Sequence, residues 1–191
     1  MNITKKPFDF LLALALVALL YLPTWNALAG NSTPAAVQSS DGAIKVALPD
    51  RWSVRKAGGN PPFWWVDFVD SRRDADVFVS MEQKIGFGYR YPRLEDWGTD
   101  FVARILKHYT EGYAYEVRGV TKTTSTLGSG QRVEFSTQQL VINGHNRSVS
   151  FAVFSSKDDA RRVLVEIYQK AAFGDVSEHI PSVAKGISLN D

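Results

Sequence analysis

The chain has 191 residues, 45% of them hydrophobic, which is enough for one domain with a real core after a leader is removed, but not for two. Its 22 basic and 20 acidic residues nearly cancel, and this balance excludes the strongly basic surface typical of nucleic-acid binders and polybasic membrane binders. The absence of cysteine excludes disulfides, thiolate metal sites, cysteine nucleophiles and a lipidated cysteine.

The N-terminus has the three parts of a secretory signal peptide. Lys5 and Lys6 form a basic region, Phe10–Leu22 is an uncharged apolar run, and Ala27 and Ala29 are small residues before the expected cleavage site. The apolar run is shorter than the ~20 residues that a spanning helix needs. We therefore expect an exported protein that is periplasmic, secreted or in a thylakoid lumen. An uncleaved membrane anchor is the alternative.

The sequence after the leader divides into a linker and a domain. We expect a signal peptide at residues 1–29, a flexible linker at 30–42 and a globular domain at 43–190. The linker is small and polar, so it cannot bury enough surface to fold. The domain opens with the strand Ile44–Leu48, in which apolar residues alternate with other residues. The glycines and prolines of 58–62 indicate a loop.

Two apolar segments that flank a charged turn predict the first hairpin. Phe63–Val69 is the outgoing strand and Ala75–Met81 is the returning one. Successive side chains of a strand point to opposite faces, so Trp64 and Trp65 lie on different faces, and we expect both in the core.

An aromatic loop, Gly86–Pro92, precedes a predicted helix at Leu94–His108. Apolar residues of this helix recur at three- and four-residue spacing, which predicts one buried stripe. The stripe consists of Leu94, Trp97, Phe101, Val102, Ile105 and Tyr109. Tyr115–Thr123 is then a weaker predicted strand.

The clearest pattern is a meander of three strands, Gln131–Ile142, His145–Ser155 and Arg161–Lys170. Asn143-Gly144 between the first two predicts a type I′ hairpin turn, because both residues accept positive φ. Apolar positions change from odd to even within the first strand, which predicts a β-bulge near residues 137–139.

The C-terminal segment predicts a second, short helix. Val176, Ile180, Val183 and Ile187 form its apolar stripe. Pro181 lies within this window, so the helix either begins late or is kinked. The complete pattern indicates an α+β fold, an antiparallel sheet of six or seven strands flanked by helices.

This order of elements resembles the PsbP-like fold, known from the extrinsic PsbP protein of photosystem II and shared with a Ran-GTPase release factor. The resemblance depends on the strand IKVALPDRWSV, the hairpin FWWVDFVD…VFVSME, the amphipathic helix, the meander and the final helix. It implies an α/β/α sandwich. It also implies a binding or assembly factor with no catalytic residue. Together with the leader, it predicts an exported, non-catalytic binding or assembly factor with a protein partner.

The aromatic loop holds the candidate binding residues, Phe87, Tyr89, Arg90 and Tyr91. Aromatic residues and arginine dominate interface hot spots, because they bury large areas at modest entropic cost. The competing interpretation, which the short loop and the neighbouring helix favour, is that Phe87 and Tyr91 fill the sheet–helix junction. A different class of function is a small-ligand carrier or enzyme that uses a pocket near this loop.

The three histidines, His108, His145 and His179, lack the spacing of metal ligands. No catalytic constellation, metal site or cofactor is predicted. We expect no nucleic-acid partner, and membrane contact only through an uncleaved leader.

Overall fold

The computed structural model describes residues 35–72, 75–83, 103, 106–107, 110, 113–169 and 176–190. The strands of this part are β1 (Ala35–Gln38), β2 (Ile44–Leu48), β3 (Trp52–Asn60), β4 (Phe63–Asp70), β5 (Ala75–Gln83), β6 (Tyr115–Thr126), β7 (Arg132–Ile142), β8 (His145–Ser155), β9 (Arg161–Gln169) and β10 (Ile187–Leu189). A 3₁₀ turn, Val176–His179, leads into helix α1, Ile180–Gly186.

The strands form two antiparallel sheets. The larger sheet has seven strands in the order β3-β4-β5-β9-β8-β7-β6, and the smaller has the order β1-β2-β10. The predicted fold class and strand number are confirmed. Among the described residues strands predominate, and helix α1 has seven residues.

The main core lies between one face of the large sheet, here called the first face, and the small sheet with α1. In β9, Val163, Val165 and Ile167 point to the first face and are fully buried. Ile44 and Val46 of β2 belong to the same apolar cluster. Each fully buried side chain of this kind stabilises the fold by about 1.5–3 kcal/mol. The alternate residues of β9 lie on the opposite, second face.

The predicted meander is present as β7, β8 and β9. Ile142 pairs with His145 across the two-residue turn, and Asn143 and Gly144 have φ values of 52° and 75°. Positive φ at both central residues is what a type I′ turn requires. The hairpin prediction is therefore confirmed.

The predicted bulge in β7 is wrong, since β7 pairs with β8 without interruption from Ser136 to Ile142. The strand is buried on both faces. Phe135 packs in the main core and Leu140 packs in a second cluster on the other face. A change of apolar phase therefore needs no extra residue. The irregularity lies in the neighbouring strand β6, at Arg118.

Both edges of the large sheet carry a bulge. In β6 the register shifts between Val117 and Gly119, and in β3 it shifts between Val54 and Lys56. The extra residue is an arginine in each case, Arg118 and Arg55. Bulges and charged side chains on an edge strand hinder pairing with another chain.

The loop predicted at residues 58–62 begins later than expected, because Gly58 and Gly59 belong to edge strand β3. A Cβ atom at Gly58 would lie 3.1 Å from the indole carbon Cζ2 of Trp65. Gly59 has φ of 85°, and a Cβ atom there would lie 2.3 Å from the carbonyl oxygen of Phe63. Glycine here allows close approach within the sheet.

The linker prediction at 30–42 is also corrected, because Ala35–Gln38 forms strand β1 and pairs with β2. Backbone hydrogen bonds can hold a short edge strand with little apolar surface, and Val37 packs against the core. Residues 1–34, including the predicted signal peptide, lie outside the described residues.

At the C-terminus, Val176, Ile180, Val183 and Ile187 are fully buried, as predicted. Helix α1 begins at Ile180 with Pro181 in its first turn, which confirms the late start.

Most of the predicted helix at 94–108, with Trp97 and Phe101, lies outside the described residues. Within its span Leu106 is helical and buried. In the part of the chain that the structure describes, no helix combines the length and apolar composition needed to cross a membrane.

Candidate functional site

The predicted binding residues, Phe87, Tyr89, Arg90 and Tyr91, all lie outside the described residues. The loop Gly86–Pro92 and the alternative pocket beside it therefore stay predictions. The described residues offer two other features of functional interest. One is on the second face of the large sheet and the other is along its β6 edge.

The strand register of the large sheet aligns one residue from each strand in a single row on the second face. Glu166 of β9 lies in the middle, directly opposite Phe78 of β5 on one side and Phe151 of β8 on the other. The complete row, from β3 to β6, is Lys56, Asp67, Phe78, Glu166, Phe151, Ser136 and Lys122. A carboxyl group thus sits between two phenylalanines at the centre of the sheet.

The side chain of Glu166 is only 8% exposed. Burial raises the pKa of its carboxyl group to about 7, because the charged form loses its hydration. Within the described part of the chain, no hydrogen bond or ion pair joins this carboxyl group to a neighbour. Buried carboxylates are ordinarily paired, so Glu166 is the exception on this face.

Beside Glu166 the second face is aromatic. Trp65 and Phe78 stack with ring centroids 6.1 Å apart, and both are half-buried. The ammonium group of Lys56 lies 5.7 Å from the centroid of the Trp65 ring, within the range of a cation–π contact. Trp64 is buried in the main core, so the expectation of two core tryptophans holds for one of them.

The charges next to these rings form a network around the bulge residue of β3. The guanidinium of Arg55 lies 2.7 Å from the carboxylate of Asp67 and 3.4 Å from that of Asp76. The network neutralises two acids of the second face and leaves Glu166 outside it.

The second feature is an exposed apolar strip, here called the edge patch, formed by Tyr113, Tyr115, Val117 and Val120. Val117 pairs with Leu140 and Tyr115 pairs with Ile142, so these side chains border the buried cluster on the second face. Val117 is 42% exposed and Val120 is 55% exposed. One sequence signal indicates this patch, the apolar alternation of Tyr115 and Val117 at the start of β6.

Histidines contribute no site in the described part. His145 is exposed, His179 packs edge-on against Trp52 at 5.6 Å, and His108 lies outside the described residues. Among the residues that the structure describes, no group of three or more potential ligands could hold a metal ion.

Comparison with known proteins gives matches through structure alone. No family model and no curated protein matches the sequence. The solution structure of cyanobacterial PsbP (CyanoP) from Synechocystis sp. PCC 6803 matches with a TM-score of 0.55 and 16% identity, covering 88% of this chain and 99% of that one. The chain has the PsbP-like fold. The Ran-binding protein Mog1p of Saccharomyces cerevisiae is also similar, with a TM-score of 0.47, 12% identity and coverage of 83% and 96%.

The PsbP-like fold does not by itself point to Glu166 or to the edge patch, because fold and function vary independently. Sequence reasoning missed Glu166, since Phe78 on one side of it belongs to β5, which is distant from β9 along the chain. Its only local signal is an acidic residue between Leu164 and Tyr168.

Proposed function

We propose that this chain is an exported, non-catalytic binding or assembly factor with a protein partner. The observation that carries the proposal is the edge patch, where four large apolar side chains remain exposed beside a buried cluster. Contiguous exposed apolar surface typically marks an interaction site. Two members of the patch are tyrosines, which are enriched at protein interfaces.

The shape of the patch suits a protein better than a small molecule. It follows β6 along the outside of the sheet, where Val117 and Val120 are exposed on either side of the bulge at Arg118. Small-molecule sites are concave and enclose most of the ligand surface, whereas protein interfaces are broad. The resemblance to PsbP-like binding and assembly factors supports the same role.

Export is part of the proposal, and the leader pattern of residues 1–29 supports it. The mature protein should begin at Gly30, because Ala27 and Ala29 fit the cleavage motif. The intact mass of the protein purified from its host measures this directly. A full-length protein retained in the membrane fraction would show an anchor instead of a signal peptide.

A variant of the patch tests the binding role. Tyr115→Ser, Val117→Ser and Val120→Ser together should weaken capture of the partner from the exported fraction at least roughly tenfold, as loss of interface hot spots does. Val54→Ser is the matched control. Val54 is 40% exposed, against 42% for Val117, but lies on the opposite edge strand.

The comparison uses equal amounts of folded protein, checked by thermal unfolding. Loss of capture in the patch variant and retention in the control is the expected result. Equal capture by wild type, patch variant and control would contradict the proposed role of the edge patch.

A further inference from the structure

The carboxyl group of Glu166, which pairs with no side chain among the described residues, is the feature of the second face that the proposed function does not use. A carboxylate with no partner in an apolar environment is costly, and it gains most from an added cation. The rings at this position favour the same kind of ligand, because a cation over an aromatic face is attracted to it.

The other charged groups of the second face have their own neighbours. Asp67 and Asp76 bind Arg55, and Glu82 lies directly opposite Arg162 on β9. Arg162 is four residues from Glu166 along the strand, or about 13 Å. Among the described residues of this face, no basic side chain therefore pairs with Glu166. A cation that pairs with it must come from outside these residues.

Access to Glu166 differs on its two sides. Towards β8 the surface is closed, because Phe151, Tyr168 and Leu106 pack together in a buried cluster. Towards β4 the surface is more open, since Phe78 and Trp65 are half-buried and Phe63 is 49% exposed. A ligand would reach the carboxyl group from the β4–β5 side, across the stacked rings.

We propose that Glu166 anchors a basic side chain, arginine or lysine, of the protein partner, received beside Phe78 on the second face. The inference rests on the proposed function, because a protein partner supplies the side chain. Charge complementarity selects the occupant. Arginine fits best, since its planar guanidinium both stacks on aromatic rings and pairs with a carboxylate.

Model compounds test the site without knowledge of the partner. Acetyl-argininamide is titrated into the mature protein, with acetyl-citrullinamide as a neutral probe of the same shape, and the Glu166 carboxyl carbon is followed by NMR. The arginine probe should lower the pKa of Glu166, and its affinity should rise as the pH increases through 7. It should bind at least about tenfold more tightly than the citrulline probe, as removal of one member of a desolvated charge pair implies.

Two variants, each of which removes one negative charge, show whether binding of the arginine probe depends on Glu166 itself or only on net charge. Glu166→Gln should abolish the preference for the arginine probe and its pH dependence. Glu134→Gln should retain both, because Glu134 is an exposed residue of β7 that pairs with Lys122 at 2.8 Å.

Three results would overturn the inference. The first is equal binding of both probes to wild type, and the second is retained arginine preference in Glu166→Gln. The third is a free protein in which Glu166 titrates near the ordinary glutamate value, because the chain would then supply its own cation. None of these results bears on capture through the edge patch, so failure of the site and failure of the proposed function are distinguishable.

Discussion

At the residue scale, Glu166 shows how neighbours on adjacent strands determine the chemistry of a side chain. Its carboxyl group lies between Phe78 and Phe151, and burial raises its pKa from 4.5 to about 7. The folded state therefore holds this proton to a higher pH than the unfolded state. Between these two pKa values the folded state binds more protons, so this group makes folding less favourable as the pH rises.

Glu166→Gln should remove that pH dependence, because glutamine keeps the shape of the protonated side chain but cannot ionise. Wild type and variant should be similarly stable below pH 4.5. As the pH rises past 7, wild type should lose roughly 3 kcal/mol relative to the variant, from 1.36 kcal/mol for each pKa unit. Urea unfolding at several pH values between 4.5 and 8 measures the difference. If the free energy of unfolding changed with pH in the same way for both proteins, Glu166 would not have a raised pKa in the folded state.

At the element scale, the edges of the large sheet are protected in the same way at both ends. Arg55 interrupts β3 and is held by Asp67 and Asp76. Arg118 interrupts β6, and its guanidinium lies 2.8 Å from Glu116 on the same strand. A bulge with a charged residue prevents a second chain from adding a continuous strand. The edge patch can then be exposed without promoting strand-by-strand aggregation.

Deletion of Arg118 tests this interpretation. The shortened β6 could pair regularly with β7, keep its side-chain faces and present a flat apolar edge. The deletion variant should associate with itself at concentrations where wild type does not, as measured by sedimentation velocity. Arg118→Gly, which removes the charge but keeps the extra residue, should self-associate less. Sedimentation of the deletion variant identical to wild type would argue against a protective bulge.

The sequence predicted elements well where the signal is local. Asn143-Gly144 carries its own turn preference, and the alternation of Phe63–Val69 defines a strand without reference to partners. It failed where the deciding contact is made by a partner strand. Gly58 resembles a loop residue locally, but in the sheet it is paired with Trp65, whose indole leaves little room for a side chain there. In β7, Phe135 is buried on one face and Leu140 on the other. The apolar residues therefore change phase along the strand, as they would in a bulged strand.

At the scale of the whole molecule, the order of elements was sufficient to predict the PsbP-like fold, which the match to cyanobacterial PsbP confirms at 16% identity. The site was harder to predict. The edge patch is exposed because β6 is the last strand of the sheet. The order of strands in a sheet cannot be read from any one segment of the sequence. The candidate residues that the sequence did single out, such as Tyr89 and Arg90, remain a prediction.

Photo-cross-linking in the host shows directly whether a protein partner binds along β6. A photoreactive benzoylphenylalanine replaces Val117 in one variant and Val54 in the other, since the two valines are similarly exposed on opposite edges of the sheet. We predict a discrete cross-linked product of defined mass from position 117 and none from position 54. No product at position 117, or equal products at both positions, would contradict binding of a partner along β6.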